Sequence, residues 1–204
     1  MSFYRSHILP RFNDLTCGSR LVEPLRRRVC AGLHGEVVEV GFGTGLNVPH
    51  YPSAVTGVSG VEPAPLGWKL ARKRLDASTI HVKPAGLDGQ QLDLPDDAFD
   101  SALSTFTLCT IPDAAAALRE IRRVLKPGGT LAFVEHGLAP DADVRTWQRR
   151  LEPIQKRIAG GCHLTRQIRV LIEDAGFTIT DADTFYQDGV PRFYGALTLG
   201  TAVA

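Results

Sequence analysis

Residues 37–47 read Val37-Val38-Glu39-Val40-Gly41-Phe42-Gly43-Thr44-Gly45-Leu46-Asn47, an apolar run that passes into three alternating glycines. The run predicts a buried strand over 37–40, with the carboxylate of Glu39 near its end. Glycine lets the backbone turn sharply and admits a ligand where a Cβ would block it. Such a turn after a parallel strand forms a nucleotide-binding crevice at the carboxyl edge of a sheet. A tight turn without a ligand is the alternative interpretation.

The chain has 204 residues and a formal net charge of +1. This length is enough for one α/β domain with a substantial core. A balanced charge gives no basic footprint of the kind that nucleic-acid partners require, so we expect no nucleic-acid partner. The densest basic cluster, Arg26-Arg27-Arg28, is predicted to be the solvated face of a helix rather than a phosphate or lipid contact.

Four cysteines are widely spaced along the chain: Cys17, Cys30, Cys109 and Cys162. No pair has C-x-x-C spacing and no Asp/His cluster has ligand spacing, so we expect no metal site. Separated thiols suit a reduced, cytoplasmic protein, in which Cys109 and Cys162 are expected to be small buried residues. The N-terminus lacks a signal-peptide core, and no run approaches the roughly 18 apolar residues of a membrane span. We expect a cytoplasmic location without stable membrane insertion, and the sequence predicts no particular oligomeric state.

Strands alternate with helices along most of the chain, which predicts a parallel sheet with right-handed crossovers. A helix opens at Asp113 and is expected to end at Pro127-Gly128-Gly129. A later helix over 141–158 is interrupted by Pro153, and another covers 165–175. The last two strands are joined by a short loop and are therefore antiparallel. The predicted strands cover residues 37–40, 56–62, 80–82, 99–105, 130–135, 177–185 and 193–203. The fold class is thus α/β, a seven-stranded, mostly parallel sheet with a C-terminal antiparallel hairpin.

The G-x-G-x-G spacing of the turn differs from the G-x-G-x-x-G of a dinucleotide site, which favours S-adenosylmethionine over hydride chemistry. The ribose of that cofactor has two hydroxyls, and a carboxylate accepts hydrogen bonds from both. Glu62 ends the second predicted strand, 17 residues after Gly45, where such folds place that carboxylate. A surface carboxylate is the alternative.

The adenine and methionine ends of the cofactor need other groups. Adenine requires an apolar slot with one or two polar edges, and Asp88 or Gln90 could accept from its amine while Gly89 allows close backbone approach. An ordinary turn is the alternative there. Phe106 offers an aromatic face, which favours a cation such as the sulfonium. The predicted cofactor-binding residues are Glu39, Gly41, Phe42, Gly43, Thr44, Gly45, Asn47, Glu62, Pro63, Asp88, Gly89, Gln90, Thr105, Phe106 and Thr107.

Four segments follow one another in a familiar order: Glu39 to Gly45, Val61-Glu62-Pro63, Pro95 to Asp100, and Leu125-Lys126-Pro127-Gly128-Gly129. Together they resemble the class I S-adenosylmethionine-dependent methyltransferases of the methyltransferase type 11 group, over roughly residues 20–200. The resemblance implies a Rossmann-like fold with helices on both faces, and S-adenosylhomocysteine as product. N-terminal segments of this fold often cap the cofactor. We therefore expect 1–204 to be a single methyltransferase domain in which 1–19 covers the active site, with Tyr4 and His7 as candidate lid residues.

Three further segments support a narrower resemblance: Thr107-Leu108-Cys109-Thr110-Ile111, Val134-Glu135-His136 and Gly161-Cys162-His163-Leu164-Thr165-Arg166. They resemble the small thiol methyltransferases of the animal methyltransferase-like group and their bacterial relatives. This chain departs from the animal members in lacking an N-terminal hydrophobic anchor and in reading His163 where they commonly carry Asn. The resemblance implies a small, apolar acceptor that is a thiol or a hydroxyl. A phospholipid or amine N-methyltransferase is the alternative within the family.

A thiol or phenol acceptor must lose its proton, and histidine is the natural base near neutral pH. His136 follows the fifth predicted strand and His163 precedes a helix, so both are candidate catalytic residues facing the crevice. A structural, hydrogen-bonded histidine is the alternative for each. Glu135 is expected to orient a histidine or to pair with Arg166.

The sequence also bears on three functions of other classes. A non-catalytic protein that senses S-adenosylmethionine fits the same motifs. A nicotinamide oxidoreductase is disfavoured because the G-x-G-x-x-G pattern is missing. An RNA or DNA methyltransferase is disfavoured by the charge balance, and because Thr105-Phe106-Thr107-Leu108 stands where a base-flipping Asn-Pro-Pro-Tyr-type motif belongs.

Overall fold

The computed structural model describes residues 4–204, without the side chains of Arg5 and Ser6. Residues 1–3 of the predicted cap lie outside the described residues. The strands are β1 Gly35–Val40, β2 Val55–Val61, β3 His81–Pro84, β4 Phe99–Thr105, β5 Leu125–His136, β6 Thr178–Tyr186 and β7 Ala196–Val203. They form one sheet in the order β3-β2-β1-β4-β5-β7-β6. Neighbours among β1 to β5 are parallel, and β7 is antiparallel to both β5 and β6.

Helices cover both faces of this sheet, which confirms the predicted fold class. The helices are α1 Leu9–Cys17, α2 Glu23–Cys30, α3 Pro65–Asp76, α4 Ala114–Val124, α5 Ala142–Ile158, α6 Ile168–Asp174 and α7 Arg192–Gly195. A π-helical turn, Tyr4–Ile8, precedes α1, and a 3₁₀ turn, Val48–His50, follows the glycine turn. Residues of α2 and α3 join one core cluster, and residues of α4 and α6 join the other.

Strand β1 is buried on both sides of the sheet. Val37 belongs to the cluster that contains Leu25 of α2, whereas Val38 and Val40 belong to the cluster that contains Leu118 of α4. A strand covered on both faces needs apolar side chains at successive positions rather than at alternate ones. This explains the continuous apolar run that predicts the strand.

The strand order reverses between β1 and β4. From β1 the chain proceeds outward to β2 and β3 on one side, and then crosses to β4 on the other side. In open α/β sheets, ligands bind outside the carboxyl ends of the strands at such a reversal. The glycine turn after β1 and residues 105–107 after β4 therefore lie on the two sides of one crevice.

Three local predictions differ from the structure. Helix α5 continues through Pro153, which is exposed, so water can solvate the carbonyl group that the proline leaves without a donor. Helix α4 ends at Val124 rather than at the Pro-Gly-Gly segment, because Leu125 already pairs with Phe99 and the next residues bulge out before Thr130 pairs with Ser101. Arg192–Gly195 form a helical turn, so β7 begins at Ala196 rather than at Phe193.

Candidate active site

The glycine turn holds the Glu62 carboxylate through a backbone N–H group. Gly41 and Gly43 have φ angles of +81° and +59°, and a Cβ on Gly41 would lie 1.9 Å from Thr107 Oγ1, so glycine is required there. The Gly43 N–H donates to Glu62 Oε2 at 2.9 Å, and the Ala64 N–H donates to Glu62 Oε1 at 2.7 Å. Burial raises the pKa of Glu62, and these two N–H groups oppose that rise. The carboxylate is thus fixed in position at the end of β2.

A cavity of about 480 Å³ lies beside this turn, at the carboxyl ends of β1, β2 and β4. It is where most of the residues predicted for the site come together. The predicted residues that line it are Gly41, Phe42, Gly43, Thr44, Glu62, Pro63, Asp88, Gly89, Gln90, Thr105, Phe106, Thr107 and His136. Four predicted residues are absent from this lining: Glu39, Gly45, Asn47 and His163.

Glu39 and Asn47 lie behind the glycine turn, where they support it. The Asn47 side-chain amide donates to Glu39 Oε1 at 2.8 Å and to Thr105 Oγ1 at 3.0 Å, and the Tyr51 hydroxyl donates to Glu39 Oε2. Burial raises the pKa of Glu39 to about 7, although the hydrogen bonds from Tyr51 and Asn47 and the nearby charge of Arg26 lower it. The network joins the end of β1 to the end of β4.

The segment 88–90 closes the cavity over β1. A Cβ on Gly89 would lie 2.5 Å from Val40 Cγ1, so this glycine allows close approach of the backbone to the end of β1. Asp88 Oδ1 accepts hydrogen bonds from the backbone N–H and the side-chain amide of Gln90, each at 2.9 Å. The side-chain carbonyl of Gln90 accepts from the Asp113 N–H at 2.8 Å. The side chain of Gln90 thus joins this segment to Asp113, the residue that caps helix α4.

A sharp turn after β4 presents an aromatic ring to the cavity. Phe106 has a φ angle of +55°, which costs a non-glycine residue on the order of 1 kcal/mol. The Glu135 carboxylate stabilises the turn, because it accepts from the Thr107 N–H at 3.0 Å, the Cys109 N–H at 3.0 Å and the Ser104 hydroxyl at 2.7 Å. The ring of Phe106 is thereby held 5.1 Å from that of His136.

A second cavity, of about 400 Å³, adjoins the first. Phe106, His136 and Tyr194 line both cavities and so lie at their boundary. Among the residues whose side chains the structure describes, no Asp, Glu, Lys or Arg lines this second cavity. Its apolar lining residues include Phe12, Leu21, Val22, Leu25, Ile158, Val190 and Leu197. We call it the apolar chamber.

Helix α1 lies over both cavities. Phe12, Thr16 and Cys17 line the first cavity and the apolar chamber. Asp14 ties the helix to the glycine turn, because its carboxylate accepts from the Thr44 hydroxyl at 2.6 Å and pairs with Arg74 of α3 at 3.0 Å. In the preceding turn, the Tyr4 hydroxyl donates to the carbonyl of Ile158.

Comparison with known proteins identifies the family. A family model described as a methyltransferase domain matches residues 38–133, from β1 to β5. The thiol S-methyltransferase TMT1B of Rattus norvegicus is 37% identical over 147 residues, which are 70% of this chain and 59% of that protein. This chain belongs to the class I S-adenosylmethionine-dependent methyltransferases.

Two further proteins extend the comparison. The phosphatidylethanolamine N-methyltransferase of Cereibacter sphaeroides is 32% identical over 126 residues, which are 57% of this chain and 60% of that protein. The chain thus spans about three fifths of the length of these curated relatives. A solved S-adenosylmethionine-dependent methyltransferase from Thermotoga maritima matches with a TM-score of 0.69 and 24% identity, covering 97% of this chain and 98% of that chain. The latter likeness shows the shared fold. Within residues 4–204, no helix of this methyltransferase is long and apolar enough to cross a membrane.

The two predicted catalytic histidines lie in different surroundings in the methyltransferase. His136 is buried at the boundary of the two cavities. The ring of His163 faces the Glu152 carboxylate, with its Nδ1 atom 3.5 Å from Glu152 Oε1. Burial lowers the pKa of His163, and the charges of Arg166 and Lys156 lower it further. Of the two predicted histidines, His136 therefore lines the cavities and His163 lines neither of them.

Glu135 and Arg166 each have a role other than the predicted one. Glu135 holds the turn after β4 and makes no ion pair with Arg166. The Arg166 guanidinium instead donates to the carbonyl groups of Leu108, Ile111 and Pro112. Both side chains thus fix the loop of residues 106–112, which carries part of the cavity wall.

Arg26 is a site residue that the sequence assigned to the solvent. It is only 5% exposed, lines the first cavity, and donates to Asn47 Oδ1 at 2.7 Å and to Thr105 Oγ1 at 3.3 Å. Its neighbours Arg27 and Arg28 are exposed as predicted. The helical period could have predicted the burial of Arg26, because this residue lies between Leu25 and Val29 on the buried face of α2.

Cys109, His136 and Cys162 form a buried cluster, although they come from separate segments of the chain. The two sulfur atoms are 3.6 Å apart, and each lies 3.7 Å from His136 Nδ1. Both cysteines are buried, as the sequence predicts. All three residues line the first cavity. Spacing along the sequence, from which no metal site is expected, carries no signal for a cluster assembled in this way.

Proposed function

We propose that this methyltransferase transfers the methyl group of S-adenosylmethionine to the sulfur of a small, apolar thiol. The observation that carries the proposal is the apolar chamber, which meets the first cavity at Phe106 and His136. One cavity then holds the methyl donor, and the other holds the acceptor. The thiol S-methyltransferase among the relatives supports sulfur as the acceptor atom.

The first cavity offers groups that match each part of the donor. The Glu62 carboxylate, held by two backbone N–H groups, accepts hydrogen bonds from the ribose hydroxyls. Asp88 accepts from the adenine amine in preference to Gln90, because a charged carboxylate is a stronger acceptor than the Gln90 carbonyl, which also binds the Asp113 N–H. The glycine turn meets the methionine part, and the face of Phe106 lies towards the sulfonium.

The lining of the apolar chamber argues for an apolar acceptor. A phosphatidylethanolamine head group carries a phosphate and an amine, and burying unpaired charges is costly. Of the described side chains, none that lines the chamber is an acid, a lysine or an arginine. An alkyl or aryl thiol has no charge to bury there. Its binding free energy becomes more favourable by about 0.8 kcal/mol for each buried CH₂ group.

The chemistry is a displacement in line with the bond that breaks. The acceptor sulfur attacks the methyl carbon, the bond from that carbon to the sulfonium sulfur breaks, and S-adenosylhomocysteine leaves. The protein aligns the reactants, which is the main contribution expected of it. A thiol also loses its proton, and His136 at the boundary of the cavities is the candidate group to meet it. Helix α1, within the proposed cap of residues 1–19, covers both reactants.

A series of n-alkanethiols tests the proposal. With purified full-length protein and radiolabelled S-adenosylmethionine, we expect kcat/KM to rise about fourfold for each added methylene until the chamber is full. Matched n-alkanols should be poor acceptors. Vesicles of phosphatidylethanolamine are tested as the third kind of acceptor, beside the thiols and the alkanols. Methylation of the vesicles in preference to thiols would replace this proposal with the lipid alternative.

Val22 offers a variant that acts on the chamber alone. It lines the chamber but not the first cavity, and it is the residue before α2, where an aspartate is a favourable cap. Val22→Asp should lower kcat/KM for thiols at least about tenfold by placing a charge in the chamber, and leave S-adenosylhomocysteine binding unchanged. Val170→Asp, on the exposed side of α6, is the matched control. Cofactor binding without turnover on any acceptor would instead support a sensor.

A further inference from the structure

The cluster of Cys109, His136 and Cys162 has the dimensions of a metal site. A tetrahedral zinc ion has Zn–S bonds of about 2.3 Å and Zn–N bonds of about 2.0–2.1 Å, which place two sulfur ligands about 3.8 Å apart and a sulfur and a nitrogen ligand about 3.6 Å apart. The observed separations are 3.6 Å between the sulfur atoms and 3.7 Å from each sulfur to His136 Nδ1. The three ligand atoms therefore form the base of a zinc tetrahedron with little rearrangement.

Backbone and side-chain contacts hold the two cysteines in place. The Cys109 N–H donates to Glu135 Oε2 at 3.0 Å. The His163 N–H donates to the Cys109 carbonyl at 2.7 Å, which joins the loop of Cys162 to the loop of Cys109. Arg166 fixes the Cys109 loop further, because its guanidinium donates to three carbonyl groups of that loop. A ligand set that is fixed before the metal arrives binds it with a smaller entropic cost.

We propose that Cys109, His136 and Cys162 bind a zinc ion whose fourth position opens to the cavity and takes the sulfur of the acceptor. All three side chains line the first cavity, and His136 also lines the apolar chamber. Two cysteines, one histidine and an open position are a ligand set that zinc uses in catalytic sites. The role given to the fourth position rests on the proposed function, whereas the metal site itself does not.

The metal supplies the thiolate on which the transfer depends. The incoming thiol displaces a solvent molecule from zinc and gives its proton to that solvent, so that the acceptor is bound as the thiolate. A lone pair of the thiolate sulfur then forms the bond to the methyl carbon, and the electrons of the broken C–S bond return to the former sulfonium. The thioether product is neutral and a weaker ligand, so solvent replaces it. His136 is then a ligand that positions the metal rather than a base.

Metal content and cobalt spectroscopy test the site without an activity assay. Full-length protein, purified under reducing conditions and loaded with zinc, should hold one zinc ion per chain after desalting. Cobalt in its place should show thiolate-to-cobalt charge transfer and the intense visible bands of a tetrahedral ion. Cys109→Ser and Cys162→Ser should each weaken zinc binding at least about tenfold. Cys30→Ala, a buried cysteine outside the cluster, should leave it unchanged.

Addition of an n-alkanethiol to the cobalt protein examines the fourth position. A shift of the visible bands that saturates with thiol concentration is the expected result. Reduced wild-type protein that takes up no zinc or cobalt would overturn the site, as would retention of metal by the folded serine variants. If metal-free protein methylates thiols at an unchanged rate, the role given to the fourth position of the metal fails and the proposed function stands. If metal binds but no thiol is methylated or shifts the bands, the thiol acceptor fails and only the metal site stands.

Discussion

The Glu62 carboxylate and the backbone N–H of Gly43 lie 2.9 Å apart, so that the end of β2 is tied to the glycine turn after β1. The second carboxylate oxygen accepts from the Ala64 N–H at 2.7 Å. Each oxygen has a further lone pair with which it can accept from a ligand in the cavity. Glu62 can therefore support the glycine turn and accept hydrogen bonds from a ligand at the same time.

Replacement of Glu62 by glutamine should therefore weaken S-adenosylhomocysteine binding about 10- to 100-fold, since hydrogen bonds to a charged group contribute about 1.5–3 kcal/mol. The amide nitrogen of Gln would also face an N–H donor of the turn. Titration calorimetry of both proteins measures the effect. Glu173→Gln, at an exposed position of α6, makes the same chemical change away from the cavity and should bind as wild type. Equal affinity in all three proteins would place the ribose elsewhere.

Asp14→Ala should open the contact between α1 and the glycine turn. The variant loses a hydrogen bond from Thr44 and a partly exposed ion pair with Arg74, each contributing about 1 kcal/mol or less. We expect S-adenosylhomocysteine to dissociate about 3- to 10-fold faster, because α1 covers the cavity. Stopped-flow displacement measures this rate. Asp76→Ala removes the same charge from an exposed position at the end of α3 and should dissociate at the wild-type rate. A shared rate for both variants would argue against α1 as a cap.

Most of the residues predicted for the cofactor site line the first cavity, and the reason is local. Glu62 and the glycine turn lie at strand ends, and alternating strands and helices bring the carboxyl ends of parallel strands to one edge. Their positions follow from the element order alone. The positions of Thr105 and Phe106 follow in the same way, because they lie at the end of β4.

Residues whose environment depends on tertiary packing were harder to predict. Arg26 belongs to a run of three arginines, and only the rotation of α2 against the sheet separates the buried one from its exposed neighbours. The side chain of His163 points to Glu152 because of the loop that follows α5, which the sequence pattern does not specify. The meeting of Cys109 with Cys162 likewise depends on contacts between loops 53 residues apart.

Glu39 should make the stability of the protein depend on pH. Its pKa is raised by burial to about 7 in the folded protein, from an ordinary value of 4.5. Between these values the folded state retains a proton that the unfolded state has lost, so the free energy of unfolding falls as the pH rises. The shift corresponds to a loss on the order of 3 kcal/mol between about pH 4 and pH 8. Urea unfolding across this range measures it.

Glu39→Gln provides the comparison for this pH dependence. Glutamine cannot ionise, so the part of the slope that Glu39 contributes should disappear, whatever the change in absolute stability. Other groups titrate in the same range, and the difference between the two slopes isolates the contribution of Glu39. Parallel slopes for wild type and variant would show that Glu39 is ionised throughout, through its contacts with Asn47 and Tyr51.

Arg26→Met and Arg27→Met should differ sharply although the residues are adjacent. Arg26 donates to Asn47, Thr105 and the Cys17 carbonyl in the interior, so its loss leaves buried acceptors without a donor and should lower the free energy of unfolding by about 3 kcal/mol. The Arg27 side chain is 72% exposed and pairs only with Glu23 among the described residues, so its loss should change stability by less than about 0.5 kcal/mol. Urea unfolding of both variants at a single pH measures the two changes in the free energy of unfolding. Equal, small effects would mean that Arg26 is solvated in solution, as the charge run alone predicts.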